Sequence, residues 1–173
     1  MDRNLTMISA LISLLTGCAG KPAPAPAPPP DKPGVSVALS YPVLLIGERD
    51  LMVKDDESSL ITTSVASGGV YYGDYVFVDS AGIEYMAKKA TEFGRKAAWR
   101  DMGTSRFQVF LEMKSKGGIG LENAKALALA AATRPEVAVT GPDGKEIAAG
   151  KIGGAKSFGE LIVACRDPWR AER

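Results

Sequence analysis

Two groups of residues carry the types that do chemistry in other proteins. Gly150-Lys151-Ile152-Gly153-Gly154-Ala155-Lys156-Ser157 approaches the phosphate-cradling pattern G-x-x-x-x-G-K-[ST]. In that pattern glycine freedom aims successive amides at phosphate oxygens while lysine supplies charge. Ala155 replaces the glycine before the lysine, so the stretch reads instead as a glycine-rich turn ahead of a helix cap at Ser157. Asp74, Asp79 and Asp101 are carboxylates of the kind that an acid–base pair for glycan hydrolysis would need. The chain has no histidine, which removes Ser–His and Cys–His nucleophile pairs and the commonest metal ligand. One thiol with scattered carboxylates makes a poor zinc site, and no D-x-[DN]-x-[DN]-G calcium loop is present. The expectation is a non-enzyme with no catalytic residues, metal or cofactor.

Recognition residues stand out more than catalytic ones. Phe93, Arg95, Trp99 and Arg100 lie in a basic stretch with interleaved aromatics, the residue types that dominate protein-binding hot spots. Tyr71, Tyr72, Tyr75 and Tyr85 form a second cluster, for which core packing is the default expectation. Asp55-Asp56-Glu57 is an acidic turn of the sort an inhibitor could present to a toxic enzyme. The formal net charge is only +1, so no field argues for nucleic acid or for an anionic bilayer surface.

The first residues answer a different question. Asp2 and Arg3 precede an apolar run from Met7 to Leu15, which ends in Leu15-Thr16-Gly17-Cys18. Such a run is too short for a bilayer core that needs about 20 apolar residues, and it follows signal-peptide grammar. Leu15, Thr16, Gly17 and Cys18 resemble the lipobox of bacterial lipoproteins. The resemblance implies cleavage after Gly17 and diacylglycerol on the Cys18 sulfur, with two or more acyl chains giving stable anchoring. Ala19 and Gly20, rather than aspartate, follow the cysteine, which by the same resemblance favours the outer membrane with the domain facing the periplasm. With Cys18 acylated, Cys165 has no intramolecular disulfide partner. Cys165 follows Leu161 by one helical turn, so burial as a small hydrophobe is expected.

Stepping outward, residues 1–17 read as signal peptide, 18–33 as lipidated cysteine plus linker, and 34–173 as one globular domain. Lys21 to Pro33 is proline- and alanine-rich and lacks the backbone donors for helix or sheet. As polyproline II it would reach roughly 40 Å. The following 140 residues match an ordinary domain size, and 46% hydrophobic with 24% charged residues is an ordinary globular composition.

Within the domain, Val35 to Ile46 reads as an edge strand or two short pieces broken at Pro42, and Leu60 to Val65 as a short strand. Val70 to Val78 turns through Asp79-Ser80-Ala81-Gly82 into Ile83 to Ala87, the firmest hairpin. Arg106 to Lys114 alternates, with Phe107, Val109, Leu111 and Met113 on one face. Leu121 to Arg134 reads as a helix, Glu136–Thr140 and Lys145–Ala149 as a second hairpin, and Ser157 caps a final helix through Cys165. The expected fold class is α+β: an antiparallel sheet of about five strands with two helices packed on one face. The expected function is a membrane-anchored, non-catalytic protein-binding or accessory factor of an envelope assembly. Its partners would be the bilayer, through Cys18, and a protein. An immunity-type inhibitor of a toxic enzyme and a carboxylate-dependent cell-wall hydrolase are the alternatives.

Overall fold

The computed structural model describes residues 30–48, 50–64, 72–94, 106–134 and 143–168. The fold is α+β, built on a mixed seven-stranded sheet. Its strands are β1 (Gly34–Val35), β2 (Val43–Ile46), β3 (Leu51–Lys54), β4 (Thr62–Ser64), β5 (Val76–Asp79), β6 (Ile83–Phe93) and β7 (Arg106–Gly118). The path across the sheet is β1-β7-β6-β5-β2-β3, with β4 also paired to β7. Its helices are α1 (Glu57–Ile61), α2 (Leu121–Ala132), α3 (Gly144–Gly154) and α4 (Phe158–Arg166).

β2 explains the two-sided core. Val43-Leu44-Leu45-Ile46 is a continuous apolar run, and all four side chains are buried because the strand has covered faces on both sides. Leu44 and Ile46 join Leu51 and Val78 beneath α2, α3 and α4. Val43 and Leu45 join Phe77, Tyr85, Phe107, Val109, Leu111 and Met113 on the other side, where Leu60 and Ile61 of α1 close the core. α1 touches β3 at one end of the sheet path and β1, β4 and β7 at the other, so the sheet curls around this second core.

Several expectations are corrected. The sheet has seven strands rather than five and is not purely antiparallel, because β1 runs parallel to β7. Three helices, not two, pack on one face. The additional one is α3: Lys145–Ala149 lies in a helix rather than a returning hairpin strand, so the expected hairpin with Glu136–Thr140, residues outside those described, does not form. Ala148 and Ile152, one helical turn apart, are fully buried, and this 3.6-residue period outweighs the short apolar Ile147-Ala148-Ala149 that resembles a strand. Of the two readings of Val35–Ile46, the two short pieces form, as β1 and β2 with Pro42 just before β2, whereas β2 is interior rather than an edge. Leu60–Val65 does not begin as a strand: Asp56 caps α1 in a reciprocal capping box with Ser59, and among the described residues of this range Thr62–Ser64 is extended, Val65 lying outside them. Tyr72–Asp74 forms a 3-10 turn where a continuous strand was expected.

The β5–β6 hairpin forms across the Asp79–Gly82 turn, and β7 and α2 form where expected. β6 and β7 exceed their expected lengths and pair with each other from Ile83↔Gly118 to Phe93↔Gln108. α4 is capped by Ser157, whose Oγ accepts from the Glu160 N–H at 3.2 Å. The Glu160 carboxylate reaches the N–H of Lys156, one residue before the expected cap position.

Candidate binding face

Of the three carboxylate candidates, Asp79 holds a structural role. Asp79 is 1% exposed, and its carboxylate accepts from the N–H groups of Ser40, Ala81 and Ile83 and from the Tyr85 hydroxyl, at 2.9–3.3 Å. It pins the β5–β6 turn to the segment before β2. Asp74 is exposed on the 3-10 turn, and Asp101 lies outside the described residues. The phosphate-loop look-alike lacks the glycine loop, because Gly150–Gly154 is the last part of α3, and in the short link that follows Ser157 gives its hydroxyl to the α4 cap. Among the described residues no cluster of three or more histidine, cysteine or acidic side chains is placed to hold a metal. Cys165 is 1% exposed, and burial pushes its thiol up to about 12.

The tyrosines are structural too. Tyr72 is buried, donates its hydroxyl to the Leu60 carbonyl at 2.9 Å, and is pushed up to about 12 by that burial. Tyr75 donates to Asp50 at 2.7 Å, and burial, reinforced by that carboxylate, raises it. Tyr71 lies outside the described residues. In the acidic turn Asp56 caps α1, Asp55 forms an exposed two-point ion pair with Arg166 of α4 at 2.5 and 3.0 Å, and Glu57 is exposed.

Of the expected protein-binding residues, Phe93 is half-buried at the end of β6, whereas Arg95, Trp99 and Arg100 lie outside the described residues. The lipobox residues Leu15, Thr16, Gly17 and Cys18 lie outside them as well. Register shows what surrounds Phe93. It pairs with Gln108 of β7, which pairs on its other side with Thr62 of β4, so the three side chains form one row on one face. The next row is Thr91, Phe110 and Gly34, and Ser64 pairs with Arg106 at the strand start. Phe93 and Phe110 are thus diagonal neighbours, within reach of each other's rings.

This face is continuous with the one that α2–α4 cover over β2, β3 and β5. Over β6 and β7 no described helix lies on it, and Met86, Lys89, Gln108, Glu112 and Lys114 are exposed. Beside Arg106 the face sinks into an open polar depression of about 450 Å³ lined by Asp56, Ser58, Ser59, Thr62, Thr63 and Arg106. Sequence reasoning missed Arg106, Gln108 and Phe110. The signal was present in the alternation of Arg106–Lys114, whose polar face held an aromatic residue, Phe110, among the charged side chains.

No protein-family model, curated protein or solved structure matches the chain.

Proposed function

We propose that the protein is a lipid-anchored envelope lipoprotein whose globular domain binds a protein partner through the open face of β6 and β7, without catalysing a reaction. Cys18 would carry the acyl chains and hold the domain to the outer membrane, on the periplasmic side. The proline-rich linker would set its reach, and confinement to a surface would raise the local concentration of the partner. The single observation supporting the binding role is the half of the sheet face that no described helix covers, where Phe93 and Phe110 sit beside Arg106 and Gln108. Aromatic and arginine side chains on rigid strands are the composition of interface anchors. An accessory factor of an envelope assembly is the subtype this arrangement fits best.

A photo-crosslinking residue placed at Phe110 in the acylated chain, in its native membranes, tests the reading. A discrete adduct from Phe110, with none from the exposed Val163 on the helical side, is expected. Equal yields from both positions, or none from Phe110, would contradict it.

A further inference from the structure

We infer that residues 34–41 are a strap that opens as a unit over the second core while the rest of the domain stays folded, and that a pull on the chain entering at Gly34 opens it. The source of that pull rests on the anchoring proposed above, whereas the strap itself does not.

The strap has the alternation of a strand and little of its bonding. Val35, Val37, Leu39 and Tyr41 are half-buried against the second core, and Ser36, Ala38 and Ser40 between them are exposed. At its first end Gly34 and Val35 pair in parallel with Phe110 and Leu111 of β7. The Ser36 N–H donates to the Leu111 carbonyl at 2.9 Å, and the Ser36 Oγ accepts from the Met113 N–H at 2.8 Å, so one side chain extends the ladder by a residue. At its second end the Ser40 N–H donates to Asp79 at 3.2 Å, and the Ser40 carbonyl accepts from the Ser80 N–H and hydroxyl at 2.9 and 3.0 Å. Between the two ends Val37, Ala38 and Leu39 make no hydrogen bond among the described residues.

Unequal burial makes the strap the weaker element. Val43 and Leu45 of β2, which follow it, are fully buried in the same core, and the path β7-β6-β5-β2-β3 is paired strand to strand without β1. A segment with half-buried side chains and an exposed backbone opens at a lower free energy than the core ladder. Connectivity sets the order of opening. A pull from residue 33 loads the two-residue ladder first and the Ser36 contacts next, and it reaches Ser40 last, where Asp79 and Ser80 make the hinge. Opening bares the outer edge of β7 from Phe110 to Met113, on the flank of the face proposed to meet the partner, so load on the linker and contact with the partner act on one strand.

Native-state hydrogen exchange of the full chain in detergent micelles tests the strap. The Ser36 and Met113 amides are expected to exchange through one shared opening, at least about a hundredfold faster than the β2 amides and faster than the Ser80 amide at the hinge. Ser36→Ala keeps the residue-36 amide and its Leu111 acceptor but removes the hydroxyl, so exchange at residue 36 is expected to rise about three- to tenfold. The β2 amides should stay unchanged, which verifies that the variant keeps its fold. Exchange of Ser36 and Met113 at the β2 rate, or a residue-36 amide indifferent to Ser36→Ala, would overturn the strap. For the pull, the full chain with a free Cys18 thiol and Val163→Cys, an exposed position on α4, is stretched between handles on those two sulfurs, with the buried Cys165 left unlabelled. A reversible extension at lower force than unfolding of the domain is expected, at a force lowered further by Ser36→Ala. A single unfolding step, or an early extension indifferent to Ser36→Ala, would overturn opening by load. Neither arm needs acylation, so their failure overturns the strap whatever holds the domain, whereas an unacylated chain in its own membranes overturns only the natural source of the load.

Discussion

At the scale of single residues, the side chains that look chemical are the ones holding the fold in place. Asp79 has four donors converging on its carboxylate, so Asp79→Ala leaves buried donors unpaired and is expected to cost about 3 kcal/mol, read as a lowered denaturation midpoint. Gly82 is constrained twice. Its φ of +77° suits glycine, and a Cβ there would lie 2.5 Å from the Phe158 ring. Gly82→Ala is therefore expected to destabilise by about 1–3 kcal/mol, whereas Gly94→Ala, with no atom near its Cβ, should carry only the cost of its positive φ. The burial of Cys165 with Leu161 was legible from their spacing on a helix. The role of Asp79 was not, because its donors come from Ser40 and from the turn as well as from Tyr85, and only tertiary structure brings them together.

At the scale of elements, periodicity was readable wherever a strand or helix had one wet face. β7 was found because Phe107, Val109, Leu111 and Met113 alternate with polar residues, and α4 because Ser157 caps an amphipathic turn. α3 was missed because glycines at 150, 153 and 154 dilute the helical pattern, and its burial depends on only Ala148 and Ile152 together with Gly144. β3 was missed as well: Leu51–Lys54 is four residues long and sits between acidic turns, so its pairing with β2 supplies what its own sequence does not. The two-faced burial of β2 is expected to make Leu44→Ala and Leu45→Ala each cost about 2–5 kcal/mol, through different cores. Leu127→Lys on the exposed side of α2 should stay within about 0.5 kcal/mol, so chemical denaturation separates the core stripe Ala124, Ala128 and Ala131 from its wet neighbour.

At the scale of the whole molecule, weak acids raised by burial favour alkaline unfolding: Tyr41, Tyr75 and Tyr85 are raised, and so are the deeply buried Tyr72 and Cys165. Tyr72 and Cys165 both ionise near 12 in the folded protein, above their ordinary values of 10.0 and 9.0. The folded state therefore keeps protons that the unfolded chain releases first. Stability is full below about pH 9 and falls between about pH 9 and 12, by roughly 1.4 kcal/mol per pH unit for each group inside its window. Tyr72→Phe removes one of these contributions and should flatten the alkaline limb of a denaturation-midpoint profile, at the cost of the hydrogen bond to Leu60. The fold class was legible as α+β, since strands cluster before helices along the chain. The parallel entry of β1 along β7 was not, because the first two ordered pairings come from a two-residue segment with no pattern of its own.

The account depends on where the molecule is held, and intact-mass analysis of the protein isolated from its own membranes measures that most directly. The account predicts a chain whose first residue is Cys18, heavier than the bare sequence by a diacylglyceryl group or by that group plus one further acyl chain. A chain that retains residues 1–17, or that begins at Cys18 with a free thiol, would contradict it.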